Sequence, residues 1–459
     1  MAYKSVSETA QRWNMNERRV RALCRDGRVE GSIRENGIWR IPESAEAPLD
    51  ARTREFALKK DMKEQKNEAE NAVKRFEDTY FKAPEHLVFT PYRVCPIGAH
   101  IDHQWGKITG LAIDKGIHLA YHAKQNGVIE LSSVNFPKRA QWHISSVPET
   151  RQGDWADHLR GATLALAAKH RLQVGICGVL EGDLPIGGLS SSAAVIITFL
   201  TALCRANGIT LSDQELIMTA KRAENEYVGV SCGKLDQSCE VLSQKDHLLY
   251  LDTLNDSYEL IPTAPSMKPY EIAVFFSGLE RSLAGSGYNM RVDECKSAAY
   301  ALKAFSGMEY GKYEDTRLRD VPEEVFERYA HRLPEKWRMR AEHYYGEMRR
   351  VEAGAEAWRR GDIEAYGRLC FESGKSSIEL YDTGSPELKA LYEIVTRTDG
   401  IWGGRFSGAG FKGCCMALID PAYRESILEK VEKEYTALFP ALKGKYTAAI
   451  CLSANGVHL

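Results

Sequence analysis

From Glu85 onward, short apolar runs alternate with amphipathic stretches. HLVFTPYRV (86–94), ITGLAIDKGIHLAYHA (108–123), VGICGVLEGDL (174–184) and EIAVFFSGL (271–279) read as strands, and the segments between them leave room for helices. The body of the chain is therefore mixed α and β, with no internal repeat. Residues 184–203, LPIGGLSSSAAVIITFLTAL, stand apart. Two glycines and three serines open onto an apolar run of helix length, which predicts a tight turn into a buried helix.

The first 45 residues show another pattern. A polar-apolar stretch capped by Ser5 or Ser7 predicts a helix ending near Asn14. Asn16 then caps ERRVRALCRDG, which Gly27 stops. VEGSIRENGIWRIP alternates apolar and polar positions about Glu35-Asn36-Gly37, the pattern of a hairpin. Residues 46–64 are densely charged and helix-favouring, a charged helical linker to the body of the chain.

Composition narrows the class. With 459 residues, two to three folding units are expected, and a formal net charge of −2 excludes a chain that is basic overall. Charge is uneven, however: Lys4, Arg12, Arg18, Arg19, Arg21, Arg25, Arg28, Arg34 and Arg40 all fall in the first 45 residues. Eleven scattered cysteines without a C-x-x-C pair read as reduced, buried thiols. The apolar run Ala193–Cys204 is too short to span a bilayer, and MAYKSVSETAQRW lacks the character of a signal peptide, so a cytoplasmic protein without membrane contact is expected.

Four segments carry candidate chemistry. In CPIGAHIDHQWGK (95–107), the two histidines His100 and His103, beside Asp102, have the look of a metal site, but no obvious further ligand stands at supporting spacing. In 184–203, the glycine-serine turn suits an anion, because free backbone N–H groups and the positive end of a helix dipole meet there. A plain turn into a buried helix would leave the same trace. AENEYVGVSCGKLDQSCEV (223–241) places Asp236 after Gly233, with Glu224 twelve residues earlier. One carboxylate there can hold a metal while another orients an alcohol, although acidic residues near turns are often only solvated. GRFSGAGFKGCCMALI (404–419) sets glycines 404, 408, 410 and 413 before an apolar strand, which suits a backbone passing close to a ligand, to another loop or through a hairpin.

In this order the segments resemble the GHMP kinases, which transfer phosphate from ATP to small alcohols and sugars. The resemblance starts near residue 65 and runs to the end. Residues 92–114 look like the galactokinase signature, 184–194 like the phosphate loop, 229–238 like the catalytic segment and 404–415 like the C-terminal glycine motif. PYRVCPIGAHIDHQWG and RFSGAGFKGCC are most similar to members of the galacturonokinase type. The resemblance implies a two-domain α+β kinase fold, residues 65–260 and 261–459, with the active site between the domains. It makes Asp236 the acceptor of the sugar hydroxyl proton and Arg93 the neighbour of the transferring phosphate. Ala99, His100, Asp102, Gly233 and Tyr288 would face the sugar. Gly187, Gly188, Leu189, Ser190, Ser191, Ser192 and Ala193 would cradle ATP, and Ser191, Ser192 and Glu224 would hold Mg2+.

Galactokinases usually carry glutamate immediately before this histidine, and here Ala99 stands instead. A uronic acid has a carboxylate at that sugar carbon, and two like charges about 4 Å apart repel by roughly 4 kcal/mol at an effective dielectric near 20. The expected reaction is therefore conversion of D-galacturonate to α-D-galacturonate 1-phosphate, with galactose phosphorylation as the alternative. Lys234, Arg281, Arg291 and Lys412 are the cations available to the substrate carboxylate. Residues 1–45 resemble the MerR/excisionase-type winged helix-turn-helix, which implies DNA as a partner, a homodimer, and a sugar-sensing regulator as the competing class.

Overall fold

A computed structural model describes residues 3–13, 15–25, 29, 31–35, 37–45, 68–279 and 287–457. The linker 46–64, Asn14, Gly27, Asn36 and Arg281 lie outside the described residues. The chain divides into two compact units, Met1–Lys66 and Asn67–Leu459.

In the smaller unit, Ser5 caps the helix Val6–Arg12 by accepting from the Glu8 N–H, and Glu8 accepts from the Ser5 N–H in return. The Asn16 side chain accepts from the Arg19 N–H at the head of the next helix, Glu17–Arg25. Strand Ile33–Glu35 pairs with Ile38–Pro42, which also pairs with Tyr3–Lys4. Val6, Ala10, Val20, Leu23, Cys24, Val29 and Ile41 form the small core.

The larger unit is built on two antiparallel-rich sheets. In the seven-stranded sheet the 18-residue strand Lys107–Lys124 is the hub. It pairs with His86–Val94, with Gly175–Gly182 toward its C-terminal end and with His247–Asp252 at its start. The helix Ser191–Asn207 is apolar over most of its surface and buried over most of its length, packed on His86–Val94, on the hub strand and on the helix Asp157–Ala167. No helix among the described residues is long and apolar enough to cross a membrane. The four-stranded sheet runs Ile401–Ser407, Cys414–Ile419, Glu271–Phe276, Thr447–Cys451. The chain leaves the first sheet after Pro262 and enters the second at Glu271. One apolar core draws residues from both sheets. Gly404 lies inside the strand Ile401–Ser407, so three of the four glycines, not four, form the loop before Cys414. All eleven cysteines are free thiols, ten of them buried.

Candidate active site

A cavity of about 440 Å³ opens where the turn after His86–Val94, the start of Ser191–Asn207, the start of Leu235–Leu242 and the glycine loop 408–413 converge. Arg93 enters from the end of its strand and is 2% exposed. Its Nη2 and Nε donate to Asp236 Oδ1 at 2.6 and 2.8 Å, and its Nη1 donates to the Gly188 carbonyl and Ser407 Oγ, both at 3.3 Å. Burial opposes the Arg93 charge, but Asp236 outweighs it and holds the guanidinium above its ordinary range. One aspartate oxygen is thus committed to arginine in the first turn of a helix.

Asp102 lies beside this pair. Burial, with the like charge of Asp236 adding to it, pushes its carboxyl up to about 6, against the N–H groups of Leu235 and His103 that favour the ion. The Leu235 N–H donates to Asp102 Oδ2 at 3.1 Å. A Cβ at Gly233 would overlap that carboxylate, so glycine there is a steric requirement. His100 sits at φ 66°, a left-handed conformation uncommon outside glycine, and its ring stacks on Tyr381 with centroids 4.6 Å apart. Burial, then the Arg405 charge, holds its pKa well below 6.5, so the imidazole is neutral, and its Nε2 has no hydrogen-bond partner among the described residues. His103 turns away from the cavity, its Nε2 2.8 Å from the Tyr381 hydroxyl and its Nδ1 3.0 Å from Gln104. With both ring nitrogens of His103 engaged, the two histidines are not set up to share a metal ion.

Gly187 (φ 141°) and Gly188 (φ 85°) carry the turn into Ser191–Asn207. They press against the second glycine loop, because a Cβ on Gly188 would meet Cys414 and Ser407, and one on Gly413 would meet Gly187 and Gly188. The two glycine motifs are one backbone-to-backbone contact. Ser190, Ser191 and Ser192 line the cavity, and the Ser190 Oγ is buried without a hydrogen-bond partner among the described residues. Leu189 and Ala193, also expected in the loop, turn their side chains into the core, so only their backbone is available to a ligand. Glu224 lines the same cavity from a π-helical turn, Ala223–Val228, and accepts from Gln237 at 2.5 Å. Hydroxyl and carboxylate oxygens with no sulfur or imidazole among them suit a hard cation such as Mg2+.

Ala99 and Tyr288 also line the cavity. Of the described cations considered for a substrate carboxylate, Lys412 faces it. Lys234 is paired with Asp256, and Arg291 with Asp382 and Glu294, because each lies beside a carboxylate outside the cavity. Sequence reasoning missed the supports of the turn. Glu347 accepts from the Gly98 N–H at 2.7 Å, and His343 donates to the Ala99 carbonyl at 3.2 Å. Burial would raise the Glu347 pKa, but Arg350, His343 and Arg405 hold it at about 2. His158 and Phe411 of the lining were missed as well. Phe411 lies inside the glycine motif and could have been found there, whereas His158 carries no local signal.

Two sequence families match, described as GHMP kinases N terminal domain over residues 157–244 and GHMP kinases C terminal over residues 355–437. The chain is 38% identical over 402 residues to the galacturonokinase of Arabidopsis thaliana, covering 82% of this chain and 94% of that protein. It is 32% identical over 385 residues to the galactokinase of Roseiflexus sp., covering 83% and 95%. The crystal structure of Lactococcus lactis galactokinase complexed with galactose superposes with a TM-score of 0.75 at 24% identity, covering 84% of this chain and 97% of that one. The larger unit has the two-domain α+β fold of these proteins, and the chain belongs to the GHMP kinases as a sugar kinase of the galactokinase and galacturonokinase type.

Proposed function

We propose that this chain phosphorylates D-galacturonate at the anomeric hydroxyl, using ATP and giving α-D-galacturonate 1-phosphate and ADP. The observation that carries the choice of sugar is Ala99, a small apolar residue on the cavity wall next to His100 and Asp102. Similarity to a galacturonokinase over most of both chains supports it. In this reading Asp236 orients the anomeric hydroxyl and takes its proton as the oxygen–phosphorus bond forms and the bond to ADP breaks. Arg93 offsets the charge spreading over the phosphoryl oxygens. Asp102, His100, Tyr288 and the backbone at Gly233 hold the sugar. The loop Gly187–Ala193 positions the phosphates with its N–H groups and serine hydroxyls. Ser191, Ser192 and Glu224 would hold Mg2+, which neutralises phosphate charge when bound. Initial rates with galacturonate, galactose and glucuronate test the reading. Galacturonate should be strongly preferred, and a preference for galactose would make the protein an ordinary galactokinase.

An ionised Asp102 accepts hydroxyl hydrogen bonds at full strength, whereas protonation turns one oxygen into a donor and weakens the other as an acceptor. With its carboxyl at about 6, kcat/KM for the sugar should fall as pH drops through that value, approaching about tenfold per pH unit below it. Asp102→Asn should abolish that acidic limb along with most sugar binding. A profile flat down to pH 5 would separate Asp102 from sugar recognition.

The first 45 residues support a second role. Arg18, Arg21 and Arg25 lie exposed on Glu17–Arg25 at spacings of three and four, hence on one face. Beside the hairpin Ile33–Pro42, they favour a DNA-reading helix on an enzyme that also regulates, which would work as a dimer. A fragment beginning at residue 65 should phosphorylate sugar at close to the full-length rate. The full chain should bind duplex DNA upstream of uronate genes with an affinity whose logarithm falls by about 0.9 per phosphate contact per decade of salt. No binding at low salt would leave the unit a docking module, and a folded but inactive fragment would make it part of the enzyme.

A further inference from the structure

Three side chains outside the cavity converge without a role in phosphoryl transfer. His118 projects from the hub strand, opposite Glu181 at the end of Gly175–Gly182, and Asp183 comes directly after that strand. Glu68 is the first described residue of a helix over residues 68–80. One ligand atom from each lies within 4.8 Å of the others. None of the three lines the active-site cavity.

His118 is 5% exposed, and among the described residues neither of its ring nitrogens has a hydrogen-bond partner. Asp183 Oδ1 is likewise buried and accepts no hydrogen bond among the described residues, although it lies at ion-pair distance from His118. His118 Nε2 and Asp183 Oδ1 are only 3.1 Å apart. Two such groups at that distance would ordinarily align as donor and acceptor, since leaving both unsatisfied in the interior is costly. Their placement suits instead two neighbours on one tetrahedral shell, where bonds of about 2.0–2.1 Å put adjacent donor atoms roughly 3.3 Å apart. The rest of the surroundings hold both groups still. Asp183 Oδ2 accepts the Gly116 N–H at 2.8 Å, which fixes the carboxylate and leaves Oδ1 available. The His118 ring packs on Phe89 with centroids 4.7 Å apart.

We propose that Glu68, His118 and Asp183 form a zinc site that fastens the helix over 68–80 to the hub strand of the first sheet. One imidazole nitrogen and two carboxylate oxygens make a borderline donor set of the kind zinc takes, with water in the fourth position. Lys115 is the competing cation, its Nζ 3.0 and 3.3 Å from the two Glu68 oxygens. Metal entry therefore turns Glu68 from Lys115 to the ion, while Lys115 keeps Asp114 as a neighbouring anion. The site is structural, so its occupancy acts on stability more than on turnover.

The test is zinc titration of the full-length protein, stripped with a chelator, against a colorimetric zinc indicator, with thermal melts run in parallel. The wild type should bind one zinc with at least about tenfold higher affinity than Glu68→Gln or Asp183→Asn, since losing one ligand-shell contact commonly costs that much. Its Tm should rise about 3 °C at free zinc a hundredfold above Kd. Glu68 is partly exposed, so Glu68→Gln keeps the test valid should Asp183→Asn fail to fold. Zinc bound equally well by Glu68→Gln, zinc lost instead in Asp236→Asn, or no stoichiometric binding by the wild type would each overturn the proposal.

Discussion

Replacing Asp236 by asparagine should lower sugar phosphorylation by a factor of at least about a hundred, with ATP binding nearly unchanged. Asparagine keeps the shape of the side chain and one oxygen for Arg93, but it cannot take a proton from the attacking hydroxyl. Both short contacts from Arg93 fall on Oδ1, and the aspartate side chain is 29% exposed toward the cavity, so the other oxygen is the one positioned for substrate. The substitution also removes the counter-charge of a buried arginine, an unfavourable change of up to several kcal/mol if nothing compensates. The Gly188 carbonyl and Ser407 Oγ remain as acceptors and limit that loss. A thermal melt run beside the kinetics separates the two effects. A folded Asp236→Asn protein that turns over at near the normal rate would remove Asp236 from the chemistry.

Legibility in the sequence divides along physical lines. The glycine-serine turn, the helix it opens and the strand after the second glycine loop are contiguous, and each is specified by residues that only a few local geometries satisfy. They were legible for that reason, as was Asp236 at a helix start. The backbone contact between Gly187–Gly188 and Gly408–Gly413 was suggested only as one of several close approaches, because its partner lies more than two hundred residues away. The supports of the His100 turn come from equally remote elements. Glu347 and His343 sit on the helix Glu335–Arg359 and Tyr381 lies just beyond Ile363–Glu379, with nothing in their neighbours to mark them. Choosing among the cations failed for the same reason. Lys234 and Arg291 look available in a string of letters, and only packing reveals that Asp256, Asp382 and Glu294 already occupy them.

Exchanging Ala99 for glutamate should move the two candidate sugars in opposite directions. Ala99 is 7% exposed and lines the cavity, its carbonyl held by His343 and the preceding N–H by Glu347. The backbone is therefore fixed, and a longer side chain at this position has the cavity beside His100 and Asp102 as its outlet. A carboxylate there faces the carboxylate of galacturonate. At about 4 Å and an effective dielectric near 20 the repulsion is roughly 4 kcal/mol, which lowers kcat/KM for galacturonate by about two to three decades. Galactose instead gains an acceptor for its 6-hydroxyl, a hydrogen bond of about 1 kcal/mol, or roughly a fivefold improvement. The gain stays small because one hydrogen bond exchanged with water contributes no more than that. Steric crowding alone would depress both sugars together, so the sign of the galactose response separates charge from size. Steady-state kinetics with both sugars on the wild type and Ala99→Glu decide it. If the wild type prefers galactose, or if galacturonate is untouched by the new carboxylate, Ala99 does not select the substrate and the uronate reading falls with it.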